Sequence, residues 1–461
     1  MVVTDSVSRT SRIDGWKSIA RYLGRDRATA MRWETSRGLP VHRYPGGGRA
    51  SVYAFEEELD SWLAGEVGLD PQTGTVDVGP WRRRSFIGGT VAVAVSGVAG
   101  LSLIRRAEEQ SQVASLLEQA RVLRSQNTLE TQNQAIGLAN EAVLLAPMNA
   151  DAWGALGYAR ATASRWRKEP ESRQLRELAT MDGQRSLDLE PGNAKGELAL
   201  ASALPLMGKD NWLIRANGLK RALERDQADP EVLIELAWVL RFSGHCNDAA
   251  AICKKVKAPE QNAPLYNIWS RALWSAGRIE ERDRVTSKAA ALYPSNKSLW
   301  FSRIEMMIFG GETEKAIAFA RMPEGRPSLV TDDEVTELIS LSRTMDSRKP
   351  AEISETLSRL TVRAKFAIRP AINAVRVASM AGRLDEAFAL VDAYLFGRGR
   401  EVSGNLGGGL FMPTSQRHTN YLFEPPMAPM RDDLRFKGLL EELGLERYWR
   451  ESRHPPDFRQ T

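Results

Sequence analysis

Ten basic side chains fall between positions 9 and 49: Arg9, Arg12, Lys17, Arg21, Arg25, Arg27, Arg32, Arg37, Arg43 and Arg49. Only Asp14, Asp26 and Glu34 oppose them, so this stretch carries a charge of +7. The whole chain of 461 residues carries +5, which leaves the remainder slightly acidic. A basic patch concentrated in a small unit is the electrostatic footprint of phosphate-backbone binding. The chemistry expected of these residues is ion pairing with double-stranded DNA.

Bond-making chemistry is not expected. Gly46-Gly47-Gly48 and Gly407-Gly408-Gly409 lack the lysine and the following helix of a phosphate-binding loop. Nothing resembles a nucleophile elbow, and the acid pairs Glu280-Glu281 and Asp432-Asp433 sit in solvated helical stretches. The four histidines, His42, His245, His418 and His454, are scattered, and no Cys/His spacing suggests a metal site. Cys246 and Cys253 are seven residues apart in a helical stretch. At 1.5 Å per residue their Cα atoms lie roughly 10 Å apart, beyond disulfide reach, so they read as two small buried side chains. The expected inventory is no catalytic residue, no metal, no cofactor and no enzyme activity.

The elements that would position the basic residues come next. Trp16, Ile19, Ala20 and Leu23 recur at helical spacing, Gly24 stops that helix, and Asp26 can cap a second one running to about Arg37. Ala30 and Trp33 face inward on the second helix, which leaves Arg27, Ala28, Met31 and Arg32 on the opposite side. Two β-prone runs, 41–44 and 50–53, flank the Gly-rich turn Pro45–Gly48 and read as a hairpin, with Arg43 and Arg49 at or near its tip. A closing helix carries Phe55, Leu59, Trp62 and Leu63 on one face.

In order, Trp16–Gly24, Arg32-Trp33-Glu34, Gly38–Arg43 and Val52-Tyr53-Ala54 resemble the winged helix-turn-helix of the excisionase and MerR-like group. The resemblance covers about 50 residues and implies a DNA-binding domain over 11–65. Its contact residues would be Arg25, Arg27, Ala28, Thr29, Met31, Arg32, Arg43 and Arg49. Ala28 and Met31 stand where polar base-reading residues would be expected.

Residues 1–10 are polar and expected to be disordered. A Gly/Pro/Thr-containing linker occupies 66–84 and ends on Arg82-Arg83-Arg84. Phe86–Ile104 is an uncharged run of 19 residues between arginine clusters, diluted by glycine, serine and threonine. As a helix it is about 28 Å long, which predicts a single transmembrane helix over 85–104. Arg83-Arg84-Ser85-Phe86-Ile87 also resembles a twin-arginine export motif, but a complete domain precedes it. Ala92, Ser96 and Gly100 share one helix face and would form a dimer contact within the span. The span predicts a bacterial inner-membrane protein with a cytoplasmic N-terminus and a periplasmic repeat domain. A buried helix in a soluble regulator is the alternative.

From about residue 110 the chain reads as amphipathic helices. Gly244, Gly311 and Gly382 are each followed five residues later by alanine, and with Gly277 they are 33, 34 and 71 residues apart. Proline turns precede helices at Pro147, Pro191, Pro230 and Pro294. A period near 34 points to tetratricopeptide-type repeats, and Trp153, Leu156 and Gly157 resemble that family's first-helix signature. The period fails at Arg282, where alanine would be expected. Six or seven helix pairs are expected in a solenoid over 110–396, with Trp238, Trp269, Trp274 and Trp300 in its core. Such arrays imply a protein or peptide partner. Residues 397–430 read as an extended loop, and 431–461 as a capping helix and tail resembling that of many bacterial repeat-containing regulators.

The expected fold is mostly α. It combines a small winged helix-turn-helix domain, a single transmembrane helix and an α-solenoid of tetratricopeptide-like helix pairs. The whole resembles the ToxR-type arrangement of membrane-integrated transcriptional regulators, in which a homodimer would engage paired DNA half-sites. The alternative function is a membrane-anchored repeat scaffold for protein–protein interaction without DNA binding.

Overall fold

The computed structural model describes residues 12–23, 26–37, 39–43, 52–56, 58–59, 62, 91–206 and 208–460. The side chains of Arg12, Asp14, residues 35–37, Arg43 and residues 91–105 are outside that description. The chain divides into two units, residues 1–89 and 90–461.

The first unit contains strand β1 (Arg12–Asp14), helix α1 (Trp16–Tyr22), helix α2 (Arg27–Arg37), strand β2 (His42–Arg43) and strand β3 (Val52–Phe55). The strands form one antiparallel sheet in the order β1-β3-β2. His42 lies opposite Tyr53, and Ile13 opposite Ala54. Trp16, Ile19, Ala20, Ala30, Leu39, Val52, Ala54 and Leu59 form its core. The core exists because α1 presents apolar residues at i, i+3 and i+4 toward alternating apolar residues of β3.

The second unit is a tetratricopeptide-like helical repeat. Its helices are α3 (Val91–Gln126), α4 (Leu129–Leu145), α5 (Ala150–Ser164), α6 (Glu171–Leu189), α7 (Ala194–Ala203), α8 (Asn211–Arg225), α9 (Pro230–Phe242) and α10 (Cys246–Cys253). They continue with α11 (Ala263–Ser275), α12 (Ile279–Leu292), α13 (Lys297–Phe309), α14 (Thr313–Arg321), α15 (Asp332–Ser347), α16 (Pro350–Ala364), α17 (Ile368–Met380) and α18 (Leu384–Phe396). These are eight helix pairs among the described residues. The first helices of the later pairs begin at Pro230, Ala263, Lys297, Asp332 and Ile368, at intervals of 33, 34, 35 and 36 residues.

Local sequence explains this regularity. Asn149, Asn193, Asp229, Asn262 and Asn296 each accept backbone N–H groups as the N-cap of a first helix. A short polar side chain there satisfies donors that the helix leaves orphaned. At the other end of the first helices, Gly244, Gly277, Gly311 and Gly382 have φ of 82, 72, 78 and 70°. The residue after each glycine donates its N–H back to a carbonyl five residues earlier: His245 to Leu240, Arg278 to Leu273, Glu312 to Met307 and Arg383 to Ala378. That is one Schellman turn built four times, and glycine is what permits the left-handed step. Ala249, Ala316 and Ala387 are fully buried where the paired helices touch. Arg282 takes the equivalent place and is also buried, its guanidinium 2.8 Å from Glu312 of the next pair. In α5, a Cβ on Gly157 would come within 2.9 Å of the Ala179 carbonyl and of the Ala199 methyl, so glycine sets the closeness of three helices.

Two expectations are corrected. Among the described residues no helix is long and apolar enough to cross a membrane. Val91–Ile104 does not stand alone as a span. It is the first part of the 36-residue helix α3, which runs through Arg105, Arg106, Glu108 and Glu109 and packs against α4. The residues of the uncharged run before Val91 lie outside the described residues. The single-pass inner-membrane placement, with a cytoplasmic N-terminus and periplasmic repeats, falls with the span. So does the resemblance to ToxR-type regulators. The excisionase/MerR-like winged helix-turn-helix is likewise not shown. Residues 24–25 between α1 and α2, and 44–51 at the expected hairpin tip, lie outside the described residues.

Residues 397–430, read from sequence as an extended loop, contain a small hairpin of β4 (Asn405–Gly407) and β5 (Leu410–Phe411). They then run through short turns of 3-10 helix to α19 (Ala428–Arg431), α20 (Leu434–Glu442) and α21 (Leu445–Ser452). Met412, Tyr421, Leu422, Phe423, Met427 and Met430 are all buried in the same core as the repeats. Their burial comes from contact with distant helices of the repeats.

Candidate functional site

Several first helices bury a charged residue in a largely apolar stretch of their last turns or middle. Arg241 stands in α9, Arg271 in α11, Glu305 in α13 and Arg376 in α17. All four are no more than 7% exposed. Stacking the pairs brings these positions together on one side of the array, and there they surround Glu424 of the C-terminal segment, which is 0% exposed. Arg376 Nη2 lies 2.6 Å from Glu424 Oε2, Arg271 Nη1 3.0 Å from Oε1, and Arg241 Nη2 3.5 Å from Oε1. Arg271 also pairs with Glu305 and donates to Ser302 Oγ at 2.7 Å. Arg376 Nη1 donates to Asn373 Oδ1 at 2.8 Å.

Burial alone would raise the Glu424 pKa, but Arg376, Arg271 and Arg241 overcome it and hold that pKa below the ordinary value. Glu305 behaves the same way, with Arg271, Arg376 and Arg369 outweighing burial. Burial pushes Arg241 down to about 10, against the pull of Glu424. The cluster is therefore an ionised network in which each carboxylate is shared between guanidinium groups, the arrangement that repays desolvation best.

A second polar cluster lies beside it. Arg165 grips Glu235 through two bonds of 2.8 and 2.7 Å, and the Tyr158 hydroxyl reaches Glu235 at 3.2 Å. Arg215, pushed down to about 9 by burial, donates to the Leu204 carbonyl. Arg165, Arg215 and Glu235 enclose, with Trp166, Trp238 and His418, a cavity of about 10 Å³, room for one water at most. His418 stands among the rings of Trp238 (5.1 Å), Phe242 (4.6 Å) and Trp166 (6.1 Å). Burial and the nearby arginines Arg241 and Arg165 push its pKa down to about 3.

Further bonds fasten the C-terminal segment along the array. Thr419 Oγ1 donates to the Phe242 carbonyl at 2.6 Å, and Ser379 Oγ to the Pro426 carbonyl at 2.8 Å. Trp212 Nε1 donates to the Leu443 carbonyl at 2.8 Å, and Trp449 Nε1 to the Ser243 carbonyl at 2.9 Å. His245 Nε2 meets the His454 carbonyl at 3.0 Å.

The residues singled out from sequence are distributed differently. Arg27, Ala28, Met31 and Arg32 are exposed on α2. Thr29 is half-buried and engaged locally: its N–H and hydroxyl both donate to Asp26, at 2.9 and 2.6 Å, which caps the helix. Arg25 and Arg49 lie outside the described residues, as does the side chain of Arg43 in β2. Ala92, Ser96 and Gly100 lie in α3, and their side chains are outside the description. Trp274 and Trp300 are buried in the core, Trp238 faces His418, and Trp269 is partly buried. Cys246 and Cys253 are both buried free thiols, pushed up to about 12 by burial. No group of His, Cys, Asp and Glu side chains that could hold a metal occurs among the described residues.

Sequence reasoning passed over Arg241, Arg271, Glu305, Arg376 and Glu424. The available signal was the lone charge inside apolar runs such as Val239-Leu240-Arg241-Phe242 and Ala374-Val375-Arg376-Val377.

No protein-family model matches the chain, and no curated protein matches it. Among solved structures, a thermophilic tetratricopeptide-repeat protein from Thermus thermophilus is similar over 43% of this chain and 99% of its own, at 17% identity and a TM-score of 0.33. At that score the repeat fold rests on the turns, caps and packing described above.

Proposed function

We propose that this chain is an interaction scaffold whose stacked helix pairs bind a protein or peptide partner, without catalysis. The observation that carries the reading is the convergence of Arg241, Arg271 and Arg376 from three separate pairs onto one carboxylate in an aperiodic, turn-rich stretch of polypeptide. An array of this kind offers a long, regular surface to chain-like ligands. Crosslinking of the tagged full-length chain in its own cells, read by mass spectrometry, tests it. The expected result is a partner protein whose crosslinks fall on residues 150–396. Recovery of no protein, or of crosslinks on the first unit alone, would contradict it.

A second reading concerns the first unit. Exposed Lys17 and Arg21 on α1, with exposed Arg27 and Arg32 on α2, favour contact with the phosphates of double-stranded DNA. Full-length chain on duplex DNA is expected to bind at low salt and to weaken steeply as salt rises. Arg27→Ala combined with Arg32→Ala is expected to lower both affinity and salt slope. No binding at low salt removes this reading and leaves the scaffold reading intact.

A further inference from the structure

The arginine-lined face is already occupied by the chain's own residues 412–430, and the fit is incomplete in a specific way. Five side chains at this contact, each at most 4% exposed, keep a polar atom that makes no hydrogen bond. They are Arg241 (Nε), Glu305 (Oε1), Gln416 (both amide atoms), Arg417 (Nε) and Tyr421 (the hydroxyl). Buried polar groups are ordinarily paired, and each exception costs free energy. Charge is unbalanced too. Arg241, Arg271 and Arg376 face two carboxylates, Glu305 and Glu424, and Arg369 adds a further cation 3.7 Å from Glu305.

We propose that residues 412–430 are a resident, displaceable occupant of a groove for peptide segments bearing carboxylates, with Glu424 standing in for an acidic side chain of the partner. This rests on the scaffold reading and names the chemistry of its ligand. A partner segment with a second acid near the Glu424 position supplies the charge that the resident segment lacks and an acceptor for Arg241 Nε, while the unpaired atoms of Gln416, Arg417 and Tyr421 leave with the resident. Tethering gives the resident an effective concentration of about millimolar, so a free segment competes only when it binds better or when the resident is weakened. The resident is joined to α18 by residues 397–411: exposed Arg398–Arg400, with φ of 69° at Gly397 and 73° at Gly399, and then a hairpin segment whose bonds from Ser403 N–H to the Ala364 carbonyl and from Phe411 N–H to the Trp166 carbonyl must part for the segment to leave.

The test uses the full chain and a fluorescent synthetic peptide with the sequence 412–430. Its affinity for the wild-type chain is compared with that for Glu424→Gln, and a peptide with glutamine at the same position serves as control. The expected result is at least tenfold tighter binding to Glu424→Gln than to wild type, and at least tenfold weaker binding of the glutamine peptide. Equal binding to both chains, or binding to neither while Glu424→Gln keeps wild-type helix content, overturns the proposal.

Should Glu424→Gln fail to fold, a second variant decides. Protease sites inserted between Arg398 and Arg400 and between Asp432 and Leu434 of the otherwise wild-type chain are both cut, which frees 412–430 from the C-terminal helices that Leu443, Trp449 and His454 fasten to the array, and excess labelled peptide is added. Exchange of label into the cut protein supports the groove. Retention of the excised piece with no exchange over days overturns it, because the piece is then a permanent part of the core. Neither readout needs the cellular partner. A groove that exchanges while crosslinking finds no protein separates this inference from the scaffold reading.

Discussion

The helix pairs from Pro230 to Phe396 and the segment after them are folded by different means. The pairs are built mostly from local instructions that recur along the chain: an Asn or Asp cap at Asp229, Asn262 and Asn296, an apolar first helix, a glycine at positive φ at Gly244, Gly277, Gly311 and Gly382, and an alanine at Ala249, Ala316 and Ala387 where the next helix crosses. Each pair touches mainly its neighbours, so loss of one instruction is felt by one turn. Residues 412–430 have no repeat and little regular structure. Their conformation is set by Arg241, Arg271 and Arg376, residues up to 183 positions from Glu424 in sequence. The comparison teaches that the array is robust one turn at a time, whereas the segment it holds depends on one buried charged network.

The largest expected effect breaks that network. Arg376→Leu leaves Glu424 with two arginines and Glu305 with one fewer partner. Removing one member of a buried ion pair costs about 3–5 kcal/mol. The midpoint of urea unfolding is expected to fall accordingly, and residues 412–430 to become the first site of proteolysis. A loss near that of a surface substitution would erase the contrast drawn here.

The next effect depends on pH. His418 is held neutral in the folded state, with its pKa pushed down to about 3 from an ordinary 6.5. The unfolded chain takes up a proton there that the folded chain refuses. His418 therefore contributes stability that is fully present above about pH 6.5 and is lost as pH falls toward 3. The loss is about 1.4 kcal/mol per pH unit for one proton. Asp182, raised to about 6 by burial against the pull of Arg160, works in the opposite direction between its ordinary value of 3.8 and 6. The readout is thus the difference between wild type and His418→Phe, which is expected to widen steadily from pH 7 to pH 5. Glu424 and Glu305 add their own loss only as pH drops below about 4.5.

Smaller effects sharpen the other side of the comparison. Gly277→Ala meets no atom within 4 Å, so only the strain of a left-handed alanine remains, about 1–2 kcal/mol. Asn262→Ala removes a cap that accepts from the Leu265 N–H at 3.0 Å, a loss of about 1 kcal/mol. Calorimetry on both variants is expected to show a lower Tm with residues 412–430 as resistant to protease as in wild type. Release of the segment by either change would mean that the two regions fold as one cooperative piece.

The same contrast accounts for what could be read from the sequence. Gly244, Gly277, Gly311 and Gly382, with the proline turns before the helices, announced the repeats because their roles are settled within a few residues. Arg282 looked like a failure of the period and is instead a buried cation bridged to the next pair. Glu424 was invisible because its partners lie on three other helices, and an aperiodic stretch rich in glycine and proline looks like a loop until those helices are placed around it. The uncharged run before Arg105 misled for a related reason. Its length fits a bilayer, but the helix that holds its described part from Val91 continues into charged turns and packs on α4.

Hydrogen exchange of the full-length wild-type chain, resolved to the amides of residues 412–430, tests most directly whether this segment is held against the repeats. Leu422, Glu424 and Met427 are predicted to be protected, opening at a lower free energy than the first helices Pro230–Phe242 and Ala263–Ser275 but far above an exposed loop. Exchange of those amides at the rate of an unstructured peptide would contradict the account.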